Sequence, residues 1–134
     1  MTRLNLLFAI LFIFIFQQIT LGETMKKTIM IDLDGVLDNY NGNYIEDKIL
    51  DIKSGAKEFI EKLSKDYELI LFTTRNSKLA TIWLQDNKID KYFKDVTNVK
   101  IPAYIYIDDR AIKFEGDYNK TLDEIKKHNV YWKQ

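Results

Sequence analysis

Three apolar runs divide the chain, and each of them ends at polar side chains. They read TIMIDL at 28–33, ELILFT at 68–73 and AYIYI at 103–107. Short continuous apolar runs that are rich in β-branched or aromatic residues are typical of strands buried on both faces of a sheet. The pattern therefore predicts three strands, with a shorter additional strand at 95–99.

Apolar residues at helical spacing fill the segments between these runs. Ser54 is the predicted N-cap of a first helix and Ser77 of a second, and a last amphipathic helix is predicted over 119–127. The residues predicted to face inward from the first two helices are Ala56, Phe59, Ile60, Leu63, Leu79, Ile82, Trp83 and Leu84. The segment at 130–132 is predicted to add an edge strand.

Strands that alternate with helices fold into a parallel sheet with right-handed crossovers. The length of 134 residues is enough for one domain, and the single proline and the lack of repeats give no sign of a linker. The predicted fold is therefore α/β, a Rossmann-like three-layer sandwich with a central parallel sheet, formed by residues 25–134.

Residues 1–24 are excluded from this domain. The apolar block LNLLFAILFIFIF at 4–16 follows Arg3 and precedes polar residues, which is the layout of a signal peptide with cleavage near Gly22. It is short for a membrane span, which usually takes about twenty apolar residues. This interpretation predicts a secreted, periplasmic or membrane-anchored protein. Alternatively, Met25 is the true start, and the protein is cytoplasmic.

The composition narrows the chemistry. Twenty basic residues balance twenty acidic ones, so no general affinity for nucleic acid is expected. The absence of cysteine excludes disulfides, thiolate zinc sites and a cysteine nucleophile, and the single histidine, His128, does not make a metal cluster alone. Catalysis therefore depends on carboxylates, hydroxyls, lysine or arginine.

Oxygen-bearing side chains follow the three clearest strands. They are Asp32, Asp34, Thr73, Thr74, Asp108 and Asp109. A single aspartate at a strand end is usually a turn former or a cap. The carboxyl ends of parallel strands meet at one edge, however, and four clustered acids repel one another unless a cation neutralises them. Magnesium prefers such oxygen ligands, so the sequence predicts a Mg²⁺ site.

At this point the sequence resembles the haloacid dehalogenase-like (HAD) phosphatase superfamily. DLDGV at 32–36 is similar to its first motif, in which two aspartates separated by one residue precede a glycine. LILFTT at 69–74 resembles the second motif, and Lys100 is placed like the lysine of the third. YIDDR at 106–110 resembles the two-aspartate form of the fourth motif. All four elements occur in the superfamily's order.

The resemblance implies a role for each matching position. Asp32 would be the nucleophile that forms an aspartyl-phosphate, and it would also bind Mg²⁺. Asp34 would be the general acid and then the general base, with its backbone carbonyl on the metal. Thr73, or Thr74 if the strand end shifts by one residue, would hydrogen-bond a phosphoryl oxygen. Lys100 would neutralise phosphate charge and steady the nucleophile.

The resemblance also assigns the residues around these positions. Asp108 and Asp109 would complete the metal site, with Asp109 favoured as the direct ligand. Arg75 and Arg110 follow the strand ends and are candidates for contacts with substrate, although surface salt bridges explain them equally well. The presence of Asp34 favours phosphatase or phosphotransferase chemistry over dehalogenation.

The cap domain that covers the site in many members of the superfamily has no counterpart here, since neither segment that carries one is long enough. Asn41–Gly42, between Tyr40 and Tyr44, predicts a hairpin that alone shields the site, with Tyr40 as a candidate contact for substrate. An open site of this kind either takes a large substrate or borrows a lid from a neighbouring subunit of a homo-oligomer.

The predicted function is a Mg²⁺-dependent phosphomonoester hydrolase. Its phosphorylated substrate is a small molecule or a macromolecule, because the sequence resembles both short pyrimidine 5′-nucleotidases and capless protein phosphatases, and one scaffold hosts many specificities. The alternatives are a phosphotransferase and a binding or regulatory protein that keeps the scaffold without turnover.

Overall fold

The computed structural model describes residues 25–133, and the predictions for the segment 1–24 lie outside these residues. Its sheet has the strand order β3-β2-β1-β4, and all pairs of neighbours are parallel. The strands are β1 (Lys27–Asp32), β2 (Tyr67–Phe72), β3 (Phe93–Thr97) and β4 (Ile105–Ile107). The order reverses beside β1, which has β2 on one side and β4 on the other.

Three helices connect or follow these strands. They are α1 (Ala56–Asp66), α2 (Ser77–Asp86) and α3 (Tyr118–Lys127). Two short 3₁₀ turns, Asp90–Tyr92 and Tyr131–Lys133, complete the regular structure. Within residues 25–133, no helix is long and apolar enough to cross a bilayer.

The main core lies between the sheet and the first two helices. Alternate residues of the central strands, such as Ile31 and Leu71, are fully buried and pack in one cluster with Ile60 of α1 and Leu84 of α2. Full burial of a side chain of this size stabilises the fold by about 2 kcal/mol. This packing fixes the positions of β1 and β2, and so of the residues that follow them.

The fold class is confirmed as a small Rossmann-like α/β domain without a cap. The third helix contributes little to the core, since Tyr118, Leu122 and Ile125 are each more than half exposed. The third strand begins two residues earlier than predicted and the fourth is shorter than predicted, as expected for strand ends read from a pattern alone.

Both predicted helix caps were wrong. The N-cap of α1 is Gly55, whose φ of 83° is in the left-handed region and which makes no side-chain cap bond. Glycine adopts this conformation without the steric cost that a residue with a side chain, such as serine, would have at position 55. The N-cap of α2 is Asn76, whose side chain accepts hydrogen bonds from the amides of Lys78 and Leu79. The amide oxygen of Asn76 thus takes the role assigned to Ser77.

Two residues predicted to face inward do not. Phe59 is 41% exposed and Ile82 is 43% exposed, because the stripes that reach the sheet run through Ala56 and Ile60 on α1 and through Ala80 and Leu84 on α2. Residues four apart share a helix face. Phe59, next to Ile60, points to the border of that face, whereas Ile82 is two positions from both Ala80 and Leu84 and points to the opposite side of α2. The other inward-facing predictions are consistent with the packing around the core.

The predicted hairpin and the predicted edge strand were also wrong. The chain around Asn41–Gly42 forms no strand pair, and the flanking segments meet only at an isolated antiparallel bridge between Asp38 and Ile52. Residues 130–132 do not extend the sheet. Tyr131 and Trp132 lie in a 3₁₀ turn, from which the Tyr131 hydroxyl donates to the Gly35 carbonyl and the Trp132 indole donates to Asp109.

Candidate active site

The carboxyl end of β1 is the place where the strand order reverses, and such a point opens a crevice in a parallel sheet. Asp32 is the last residue of β1, and Asp108 and Asp109 follow β4, its neighbour. One carboxylate oxygen from each of these three residues lies within 4.8 Å of the other two. The structure thus brings together three of the acids that the sequence predicted at this edge.

Asp32 is partly buried, and its electrostatic surroundings are unusual. The pKa of Asp32 is raised from 3.8 to about 7, mainly by burial and also by the charges of Asp108, Asp109 and Asp34. A hydrogen bond of 2.8 Å from the backbone amide of Leu33 acts in the opposite direction. In the absence of a cation, this carboxyl group therefore titrates near neutral pH instead of being fully ionised there.

The Asp109 carboxylate is almost fully buried. Its side chain is 3% exposed, and its Oδ2 accepts a hydrogen bond from the indole of Trp132. Its Oδ1 is buried and has no hydrogen-bond partner, and the nearest cation, Nε of Arg110, is 4.0 Å away. A buried carboxylate oxygen without a partner is costly. A hard cation among these three acids would satisfy it, so the residues present fit Mg²⁺.

The Asp34 carboxylate lies beside this cluster and is held by Arg75. Both of its oxygens accept from Nε of Arg75 at 3.0 Å, and Oδ1 also accepts from an Nη at 2.6 Å. The remaining Nη of Arg75 donates to the backbone carbonyls of Ile45 and Lys48. Arg75 is therefore not a surface salt-bridge residue: its side chain is 1% exposed, whereas that of Asp34 is 16% exposed. Arg75 reaches a substrate only through Asp34.

A cavity of about 230 Å³ opens over these acids. Its lining residues are Asp32, Asp34, Tyr40, Tyr44, Phe72, Thr74, Asp108 and Arg110. Of the two threonines in the second motif, Thr74 lines the cavity. Thr73 is 2% exposed, and its hydroxyl accepts a hydrogen bond from the backbone amide of Arg75. The geometry therefore favours Thr74 as the hydroxyl that meets a phosphoryl group.

Two cations lie near the cavity. Lys100 lines an adjacent cavity that shares Phe72 and Asp108 with the first, and its Nζ is 4.4 Å from the centre of the Tyr106 ring. In the described part of the chain it forms no ion pair with the acids. Arg110 lines the first cavity, the one over the acids. A hydrogen bond to Tyr40 and the charges of Asp109 and Asp32 raise the pKa of Arg110.

Several residues that organise the site were not found from the sequence. Asp38 is completely buried, and its Oδ1 accepts from the amides of Gly35 and Tyr40, which turns the chain after the first motif. Burial raises the pKa of Asp38. Lys53 Nζ and the Tyr131 hydroxyl both donate to the carbonyl of Gly35. The third aspartate of DLDGVLDN was the visible signal for Asp38.

The sequence matches the family model of NLI interacting factor-like phosphatases over residues 27–131. This match spans the sheet and the acid cluster, and it ends at Tyr131, where the C-terminal turn begins. The chain belongs to the NLI interacting factor-like phosphatase family. The family is HAD-like, which confirms the predicted superfamily and the prediction of a phosphatase. The match does not distinguish the roles of individual residues, which stay predictions.

The comparison with solved structures supports the fold of this NLI interacting factor-like phosphatase. A conserved protein from Bacteroides thetaiotaomicron matches with a TM-score of 0.53 and 22% identity, covering 76% of this chain and 91% of that one. At that identity the likeness concerns the fold alone. No curated protein sequence matches this chain.

Proposed function

We propose that this phosphatase hydrolyses phosphomonoesters through an aspartyl-phosphate on Asp32, with Mg²⁺ as its cofactor. The observation that supports this most strongly is the cluster of Asp32, Asp108 and Asp109 at the end of β1, with a buried carboxylate oxygen that lacks a partner. A cluster made of carboxylates alone, in a chain without cysteine, suits a magnesium-assisted phosphoryl transfer better than zinc chemistry.

In the first step, a carboxylate oxygen of Asp32 attacks phosphorus and the bond from phosphorus to the leaving oxygen breaks. Asp34, protonated in the substrate complex, would donate the proton that the leaving oxygen needs and would become a carboxylate; Arg75 holds this group beside the cavity. In the second step, Asp34 takes a proton from water, the water oxygen attacks phosphorus, and the Asp32 carboxylate is released with inorganic phosphate.

The metal would be held by Asp32 and Asp109, with Asp108 as a third ligand or a ligand through water, and by the backbone carbonyl of Asp34. When bound, it would offset the repulsion between the anionic nucleophile and the phosphate, which is the usual contribution of a metal to such reactions. By lowering the proton affinity of Asp32, it would also keep the nucleophile ionised at neutral pH.

The remaining contacts with the phosphoryl group come from the cavity walls. Thr74 would donate its hydroxyl, and Arg110, which lines the cavity, would share with Lys100 the neutralisation of phosphate charge. Tyr40 and Tyr44 flank the opening and would contact the leaving group. A volume of about 230 Å³ accommodates a phosphate and a small part of its ester, so most of a large substrate would lie outside.

The test is hydrolysis of p-nitrophenyl phosphate by the purified full-length chain, with Mg²⁺ and then with EDTA. Activity is expected only with Mg²⁺, and Asp32→Asn is expected to lower kcat by at least about 10³-fold because the nucleophile is lost. Asp95→Asn is the matched control. The Asp95 side chain, like that of Asp32, accepts a hydrogen bond from the amide of the next residue, but Asp95 lies exposed on β3.

Hydrolysis that persists in EDTA, or that survives Asp32→Asn while Asp95→Asn is unaffected, would contradict the proposed mechanism. A panel of nucleotides, sugar phosphates and phosphopeptides under the same conditions then identifies the substrate class. Transfer of phosphate to added alcohols, measured as a product ratio, separates a phosphotransferase from a hydrolase.

A further inference from the structure

The 3₁₀ turn Tyr131–Lys133 reaches the acid cluster from the far end of the chain. The indole Nε1 of Trp132 donates a hydrogen bond to Oδ2 of Asp109, 23 residues earlier. The Trp132 ring also packs edge-on against Tyr40, with ring centres 5.1 Å apart and planes at 84°. The indole is thus held between the first-motif loop and the fourth-motif acid.

Gly35 leaves the space in which this contact forms. A Cβ atom on Gly35 would lie 2.5 Å from Oδ2 of Asp109 and 2.7 Å from Nε1 of Trp132, and the residue has a φ of +82°. Any other side chain there would displace one of the two partners. The carbonyl of Gly35 accepts from Tyr131, the neighbour of Trp132, which fixes the turn over the loop.

The hydrogen bond from Trp132 restricts how the Asp109 carboxylate can rotate. With Oδ2 engaged, Oδ1 is the oxygen left buried and without a partner. A carboxylate held through one oxygen presents the other in a fixed direction. Residues that orient metal ligands in this way contribute to the affinity of the site for its metal.

We propose that Trp132 is a positioning residue, whose indole N–H orients Asp109 to ligate Mg²⁺. This inference rests on the proposed metal site, and it gives the C-terminal turn a function in metal binding. It also predicts that the environment of the Trp132 ring changes when the metal binds, since the ring contacts a metal ligand directly.

The first experiment measures Mg²⁺ affinity by isothermal titration calorimetry on the full-length chain. Trp132→Phe keeps an aromatic ring against Tyr40 and removes the N–H, and it is expected to weaken Mg²⁺ binding about tenfold. Trp83→Phe is the matched control, because the Trp83 indole also donates a hydrogen bond, to the Leu50 carbonyl at 2.8 Å. Its Mg²⁺ affinity is expected to equal that of the wild type.

The second experiment does not depend on how well Trp132→Phe folds. The chain has two tryptophans, so Trp83→Phe leaves Trp132 as the one source of tryptophan fluorescence. Its emission is expected to change during a Mg²⁺ titration with the midpoint found by calorimetry. In the double variant with Asp109→Asn the change is expected to disappear.

The inference would be overturned if Trp132→Phe bound Mg²⁺ as tightly as the wild type does. It would also be overturned if Trp132 emission did not change during the Mg²⁺ titration. Both outcomes would leave the proposed function intact. Mg²⁺ binding without hydrolysis of any phosphomonoester would instead overturn the proposed function, and the two affinities would still decide the role of Trp132. A wild-type chain that binds no Mg²⁺ would overturn both.

Discussion

Arg75 connects the candidate general acid to the loop in front of the cavity. Its guanidinium donates to both oxygens of Asp34 and to the carbonyls of Ile45 and Lys48. Its Cζ lies 4.2 Å from the centre of the Tyr44 ring. One buried side chain therefore sets both the orientation of a catalytic carboxyl group and the path of the residues that flank the opening.

Because this pair is buried, we expect Arg75→Met to destabilise the protein by about 3–5 kcal/mol, since Asp34 and two carbonyls would lose their partner. Lys94→Met is the control: it breaks the exposed Lys94–Glu68 pair, where the cost is expected to stay below about 1 kcal/mol. Urea denaturation of both variants measures these differences. An Arg75→Met loss below about 1 kcal/mol would contradict the expected cost of leaving Asp34 without its partner.

The start of α2 is where a single polar group decides how a helix begins. Asn76 accepts from the amides of Lys78 and Leu79 at 3.0 and 3.2 Å, and α2 in turn places Trp83 and Leu84 in the core. The cap follows directly on the strand end that carries Thr73 and Arg75. The stability of α2 therefore bears on the position of these two residues.

We expect Asn76→Ala to lower the free energy of unfolding by about 1 kcal/mol, the usual cost of losing an N-cap side chain. Ser77→Ala, one residue later, is expected to change it by less than about 0.5 kcal/mol. Thermal or urea denaturation of the two variants compares the rival capping positions directly. A larger effect of Ser77→Ala would restore serine as the cap.

The stability of the whole molecule depends on pH through Asp32, a member of the acid cluster. The pKa of Asp32 is about 7 in the folded protein, against an ordinary value of 3.8. Between these values the folded state binds more protons than the unfolded state, so stability without metal falls as pH rises through this window. A bound cation would remove the penalty, because it favours the ionised carboxylate.

In EDTA, we therefore expect the wild type to be less stable at pH 8 than at pH 5, and Asp32→Asn to reduce this difference. Saturating Mg²⁺ at pH 8 is expected to raise the stability of the wild type, by about 2.7 kcal/mol at a concentration of 100 times Kd. Urea denaturation at the two pH values measures both effects. Wild-type stability that rises between pH 5 and pH 8 in EDTA would contradict the burial of Asp32.

The sequence alone determined the parallel α/β fold, the HAD-like superfamily and the strand ends that carry acids, because buried strands appear as apolar runs and motif order is a property of the chain. Tertiary structure decided the rest. Which threonine lines the cavity, the burial of Arg75 beneath Asp34, and the contact between Trp132 and Asp109 all depend on groups that lie far apart along the chain. Local patterns do not encode such contacts. The contact between Trp132 and Asp109, for example, forms only when packing brings the C-terminal turn onto Gly35.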